Sequence, residues 1–81
     1  MAKKSNQHAG TPELIALGGA LRHARKQVGL SQEALALSAD IDRSYLGGIE
    51  RGENNVALMN ILRLSRALGI TAAELLQLAE L

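Results

Sequence analysis

Apolar residues recur along this chain at steps of three and four residues, which is the spacing of one face of an α-helix. The first such stripe consists of Leu14, Leu17, Leu21, Ala24 and Val28. It is preceded by Thr11, whose hydroxyl can cap a helix, and by Pro12, which suits the first helical position. Gly29 follows the stripe and is expected to end the helix. The pattern therefore predicts a first helix between Thr11 and Gly29.

Two shorter helices are predicted next in the chain. The first is capped by Ser31 and broken at residues 38–40. The second covers about residues 42–51, is capped by Asp42 and ends at Gly52. Two short helices joined by a three- or four-residue turn form a helix-turn-helix unit, in which neither helix is long enough to be stable alone.

The sequence pattern predicts two further helices in the last part of the chain. A fourth helix runs from about residue 58 to 68, before Gly69. Its inward stripe is expected to consist of Leu58, Ile61, Leu64 or Ser65, and Leu68. Thr71 and Glu74 have the spacing of a capping box, which predicts a fifth helix from there to the C-terminus. Residues 1–10 lack periodicity and are predicted to be a flexible arm, and residues 11–81 a single domain.

Composition supports an all-α fold. The 81 residues include fifteen leucines and thirteen alanines, which favour helix, and Tyr45 is the one aromatic residue. An apolar fraction of 47% with a net charge of +1 is typical of a globular protein, so we expect a compact five-helix bundle. The lack of cysteine excludes disulfides and zinc-thiolate sites. No stretch resembles a membrane span or a secretory signal, so we expect a cytoplasmic protein.

Catalytic and metal-binding constellations are not recognisable in the sequence. The two histidines are His8, in the predicted arm, and His23, on the predicted surface of the first helix. Neither has a nucleophile, a base or further metal ligands at a useful spacing. There is also no glycine-rich phosphate loop after a strand. We therefore predict no enzyme activity, no metal and no cofactor.

The third helix has two different faces. Leu46 and Ile49 lie on one side, while Arg43, Gly47 and Arg51 recur every four residues on the other. Ser44 and Gly48 lie beside that second face. Each glycine costs about 1 kcal/mol in a helix relative to alanine, so stability alone does not explain the pair. If the helix enters a DNA major groove, missing side chains let its backbone approach the DNA closely.

The segment QEALALSADIDRSYLGGIERG, residues 32–52, resembles the Cro/Xre helix-turn-helix family, which includes phage repressors and restriction-modification controller proteins. The resemblance extends over about residues 14–76. It implies a transcriptional regulator that binds double-stranded DNA as a homodimer on a near-palindromic operator, with helix 3 in the major groove. Such a regulator acts by occupying its operator or by contacting RNA polymerase. The alternative is a protein-interaction module, such as an antitoxin, that uses the apolar fifth helix.

The resemblance also implies roles for individual residues. Arg43 is the candidate for bidentate recognition of guanine, with Ser44 second. Gln32 is expected to contact phosphate, the alternative being that it caps helix 2, and Tyr45 either contacts phosphate or forms a partly buried wedge. The remaining candidates for contact with DNA are Gly47, Gly48, Arg51, Asn54 and Asn55. Asn54 lies where the family often has a basic residue, which weakens its case relative to Asn55.

Two structural features follow from the same resemblance. Arg25 and Glu50 correspond to a buried salt bridge that links helix 1 to the end of helix 3. Asp40 takes the place of a common glycine in the turn between helices 2 and 3, where the backbone tends to be left-handed.

Helices 4 and 5 carry more apolar surface than one small core requires. We expect a two-fold interface formed by Met59, Leu62, Leu76, Leu78 and Leu81. The alternatives are that Leu62, Leu76 and Leu78 complete the core, or that a further domain covers them.

Overall fold

The computed structural model describes residues 10–81, which form five α-helices and no strand. The helices are α1 (Pro12–Gln27), α2 (Gln32–Ala39), α3 (Arg43–Glu50), α4 (Leu58–Leu68) and α5 (Ala72–Leu78). The predicted all-α, five-helix architecture is confirmed. The arm predicted for residues 1–10 lies outside the described residues except for Gly10, whose backbone N–H donates to the carbonyl of Gly52 at 2.8 Å.

Side-chain caps begin three of the helices. The hydroxyl of Thr11 accepts a hydrogen bond from the backbone N–H of Leu14 at 3.3 Å, and that of Ser31 accepts one from Ala34 at 3.0 Å. Thr71 begins α5 with a complete capping box, in which its hydroxyl and the Glu74 carboxylate each accept a backbone N–H. These local signals are the reason that the helices begin where the sequence predicts.

The start of α3 differs from its prediction. Asp42 occupies the cap position, but its side chain makes no capping hydrogen bond. Instead, its carboxylate accepts a hydrogen bond from the hydroxyl of Ser44. The first turn of α3 therefore keeps its backbone N–H groups free of a side-chain cap.

The turn between α2 and α3 has the predicted conformation. Asp40 is left-handed, with φ 58° and ψ 48°. Its backbone N–H and that of Ile41 close the end of α2 by donating to Leu37 and Ala36. A short polar side chain tolerates this region better than most residues, which explains how the turn forms without glycine.

Three predictions from periodicity are wrong in detail. Helix α5 ends at Leu78 rather than continuing to the C-terminus, and Glu80 adopts a left-handed φ of 60°. Val28 lies beyond the end of α1 and is exposed, although it continues the α1 stripe. Leu58, expected to face inward, is the first residue of α4 and is 67% exposed.

The centre of the core contains one leucine from each helix. Leu21, Leu35, Leu46, Leu64 and Leu75 each have 0% of their surface exposed. Helix α1 contacts α3 and α5, α2 contacts α3 and α4, and α4 contacts α5. All five helices therefore depend on the same small cluster. None of the helices in residues 10–81 combines the length and the hydropathy needed to cross a bilayer.

Helix α1 approaches the end of α3 at Gly18, which is buried. A Cβ at this position would lie 2.6 Å from the carbonyl oxygen and 2.8 Å from the carbonyl carbon of Glu50, and would also collide with the carbonyl oxygen of Ile49. The neighbouring Gly19 is exposed, and a Cβ there would meet nothing within 4 Å. Of these two glycines, only Gly18 is required by packing, a role that the sequence did not indicate.

Gly18→Ala is expected to lower the free energy of unfolding by about 1–3 kcal/mol, because the new methyl group meets rigid backbone. Gly19→Ala is the matched control and should raise it by about 0.5–1 kcal/mol through helix propensity. Urea unfolding followed by circular dichroism measures both. Equal effects of the two substitutions would show that α1 and α3 are not in close contact.

Candidate nucleic-acid interface

A buried ion pair supports the inner side of α3. Arg25 Nε donates to Glu50 Oε2 at 2.8 Å, and Arg25 Nη2 donates to Glu50 Oε1 at 3.0 Å. Their side chains are only 10% and 3% exposed. Hydrogen bonding to Glu50 raises the pKa of the Arg25 guanidinium, which therefore stays charged inside the fold.

The same ion pair forms hydrogen bonds with two further segments, the loop before α2 and the first turn of α2. Arg25 Nη1 donates to the carbonyl oxygen of Leu30, in the loop before α2, at 3.0 Å. Gln32 Nε2 donates to Glu50 Oε1 at 2.9 Å. Since Ser31 caps α2, the capping alternative for Gln32 is wrong. The side chain of Gln32 instead ties the first turn of α2 to the last turn of α3.

The outer face of α3 begins with two exposed side chains. Arg43 and Ser44 lie in the first turn, and both are exposed. Arg43 forms no ion pair with a described residue. A guanidinium at this position is available to an external acceptor.

Tyr45 lies between the outer face and the core. Its ring is half-buried and packs against the core cluster. Its hydroxyl oxygen accepts a hydrogen bond from Asn60 Nδ2 of α4 at 3.2 Å. The wedge alternative therefore describes its position in this fold, while its hydroxyl proton is left to donate elsewhere.

The two glycines of α3 are covered by other side chains. A Cβ at Gly47 would lie 3.2 Å from Arg51 Nη1 and 3.8 Å from Gln32 Oε1. A Cβ at Gly48 would collide with the side-chain oxygen of Asn54. Both glycines are therefore buried, and side chains from α2 and from the end of α3 and the loop after it lie across them.

That loop also contains an acidic residue that sequence analysis missed. Glu53 accepts hydrogen bonds from Arg51 Nε at 2.9 Å and from Arg51 Nη2 at 3.1 Å. This bonding lowers the pKa of the Glu53 carboxyl and raises that of Arg51. Asn55, further along, is exposed. The sequence places Arg51 and Glu53 two residues apart, which allows an ion pair. Sequence spacing does not show whether the two side chains adopt the conformations that form it.

The predicted interface residues of α4 and α5 fall into two groups. Met59, Leu78 and Leu81 are 54%, 52% and 55% exposed. Leu62 and Leu76 are half-buried, and Leu76 packs against the core, as one of the alternatives anticipated for it. Leu58 joins the exposed group although it was expected to face inward. Exposed apolar side chains are therefore present on α4 and after the start of α5, although the set differs slightly from the predicted one.

Other candidate sites are weak in the described part of the chain. Residues 10–81 contain no cluster of three or more metal-ligating side chains. An open cleft of about 340 Å³ is lined by Ser38, Ala39, Asp40, Arg63, Arg66 and Ala67. None of the residues expected to contact DNA lines it, so the outer face of α3 remains the strongest candidate site.

Comparison with known proteins identifies the family to which this fold belongs. A family model described as helix-turn-helix matches residues 21–75. The control protein C.MunI of Mycoplasma sp is 45% identical over 62 residues, which is 75% of this chain and 84% of that protein. The control protein C.BamHI of Bacillus amyloliquefaciens is 49% identical over 47 residues, or 58% of each chain.

Solved structures give the same result. The restriction-modification controller protein C.AhdI of Aeromonas hydrophila is 51% identical, with a TM-score of 0.79 over 80% of this chain and 98% of that one. The clp gene regulator ClgR of Corynebacterium glutamicum is 30% identical, with a TM-score of 0.81 over 89% and 91% of the two chains.

Glu50→Ala is expected to lower the free energy of unfolding by about 3–5 kcal/mol, because it leaves the Arg25 charge buried without its partner. Glu53→Ala is the control, since it breaks an exposed pair and should leave thermal unfolding nearly unchanged. Differential scanning calorimetry of the two variants tests this contrast. Full thermal stability of Glu50→Ala would mean that the pair contributes nothing to the fold.

Proposed function

This chain belongs to the Cro/Xre-type helix-turn-helix family, and we propose that it is a homodimeric transcriptional regulator of the controller type. In this proposal α3 lies in the major groove of an operator and reads its sequence. The observation that carries the proposal is the asymmetry of α3: its inner side is anchored by Leu46, Ile49 and Glu50, while Arg43 and Ser44 are exposed in its first turn. A helix with exposed polar side chains at its N-terminal end suits base reading.

Arg43 is the proposed base-reading residue. Its guanidinium can donate two parallel hydrogen bonds to O6 and N7 of guanine. No described carboxylate pairs with it, so recognition does not require an internal ion pair to be broken. Ser44, which already donates to Asp42, is the secondary candidate.

Phosphate contacts are proposed on both sides of α3. Gln32 is held at the start of α2, where the helix N-terminus also favours an anion. The hydroxyl of Tyr45 and the exposed amide of Asn55 are further donors. Asn54 and Arg51, which cover Gly48 and Gly47, complete the surface. These contacts position the domain and carry no sequence information themselves.

Two subunits are proposed to bind together. A single small face offers few phosphate contacts, whereas two copies of α3 in adjacent major grooves, about 34 Å apart, bind a near-palindromic site. The exposed leucines and methionine of α4 and α5 provide the apolar patch that a two-fold contact would bury.

Arg43→Ala is expected to weaken binding to the cognate operator by about 10- to 100-fold, which corresponds to 1–3 kcal/mol for one bidentate base contact. Binding to an unrelated duplex should change much less. Fluorescence anisotropy on both duplexes at fixed salt measures the difference, with the operator obtained by selection from a random-sequence duplex library. Arg66→Ala, which removes an exposed arginine of α4, is the charge-matched control. A uniform loss on both duplexes would contradict base reading by Arg43.

Leu78→Glu is expected to convert a dimer into a monomer at micromolar concentration, because it introduces a charge into the proposed apolar contact. Leu37→Glu makes the same change at the 82% exposed leucine of α2 and should leave the dimer intact. Sedimentation equilibrium with and without operator DNA measures both. A wild-type protein that stays monomeric even on DNA would exclude the dimer and favour the alternative of a protein-interaction module.

A further inference from the structure

The proposed DNA-facing surface contains a paired carboxylate that opposes DNA binding. Glu53 lies immediately after α3 and pairs with Arg51 through two hydrogen bonds of 2.9 and 3.1 Å. Both side chains are mostly exposed, at 61% for Arg51 and 55% for Glu53. No packing requirement explains a carboxylate at this position.

The geometry places this pair over the glycines of α3. Arg51 Nη1 lies 3.2 Å from the position of a Cβ at Gly47, and Glu53 Oε1 lies 3.8 Å from that at Gly48. The carboxylate therefore lies on the same side of the helix as the guanidinium. A phosphate that approaches this side meets a negative charge next to the positive one.

The hydrogen bonds of Arg51 show which of its N–H donors the Glu53 carboxylate occupies. A guanidinium has five N–H donors, and its Nε and Nη2 atoms form one edge that fits a carboxylate or a phosphate. Glu53 occupies that edge. A phosphate would have to displace it or use the remaining donors on Nη1 and Nη2 beside a like charge.

We propose that Glu53 is an intramolecular competitor for phosphate, which neutralises Arg51 and limits the affinity of the regulator for DNA. The inference rests on the proposed DNA-binding function. Since the competition involves phosphate alone, it weakens binding to the operator and to unrelated DNA by the same factor. A dimer contains the Arg51–Glu53 pair twice, so the affinity for DNA is lowered at two positions in each complex.

The test compares Glu53→Gln with the wild-type protein on the selected operator and on a scrambled duplex of equal length and composition. Releasing one phosphate contact per subunit should raise affinity by up to about eightfold per subunit at 0.1 M salt, and should steepen the slope of log K against log salt by up to about 0.9 per subunit. The ratio of operator to scrambled affinity should stay constant. Unchanged or weaker binding by Glu53→Gln would overturn the proposal.

A double-mutant cycle shows whether Glu53 acts through Arg51. In an Arg51→Gln background, Glu53→Gln should raise the affinity for DNA clearly less than it does in the wild-type background, because there is no guanidinium to release. The same gain in both backgrounds would show general repulsion of DNA and would also overturn the proposal. Glu80→Gln, an equal change of charge after α5, should leave affinity within about twofold.

Two outcomes separate this inference from the proposed function. If the wild-type protein binds the selected and the scrambled duplexes equally, sequence-specific DNA binding itself fails. If it discriminates between them but Glu53→Gln changes neither the affinity nor the salt slope, only the role of Glu53 fails. Thermal unfolding of Glu53→Gln should match wild type, because the pair is exposed.

Discussion

The buried contact between Arg25 and Glu50 is the interaction on which the geometry of the proposed DNA-facing surface depends. Two charges removed from water cost several kcal/mol each, so the pair is tolerable only when its hydrogen bonds are satisfied. Glu50 accepts from Arg25 twice and from Gln32 once, and Arg25 also donates to Leu30. One ion pair thereby fixes α1, the loop after it, the start of α2 and the end of α3.

Close backbone packing brings the partners of this ion pair together. Gly18 lies two turns before Arg25 on α1, so both residues lie on the same side of the helix. At Gly18 the α1 backbone touches the carbonyl groups at the end of α3, and at Arg25 the side chain reaches the Glu50 carboxylate. A larger residue at 18 would move the axis of α1 away from α3 and disturb both contacts. The glycine and the ion pair therefore act together.

The two arginines on the outer side of α3 differ in whether a carboxylate pairs with them. Arg43 has no carboxylate partner in the described structure, whereas Arg51, two turns later, is paired with Glu53. The proposed base recognition by Arg43 and the proposed restraint on phosphate binding by Arg51 are consistent with a regulator whose chain carries a net charge of only +1. The proposed function assigns selectivity to base contacts and to the pairing of subunits rather than to bulk charge.

The sequence by itself determined the five helices, most of their caps and the inward positions of α3, because these depend on neighbours within a few residues. Thr11, Ser31 and Thr71 act locally, and Asp40 adopts the left-handed turn that its short side chain permits. Only the tertiary structure decided that Gly18 is indispensable and that Gln32 bonds to Glu50. It also decided that Asn54 covers Gly48, and that Leu58 is exposed while Leu76 packs on the core. Periodicity identifies a face of a helix, but the segments that cover that face come from distant parts of the chain, and only their packing assigns each side chain its neighbours.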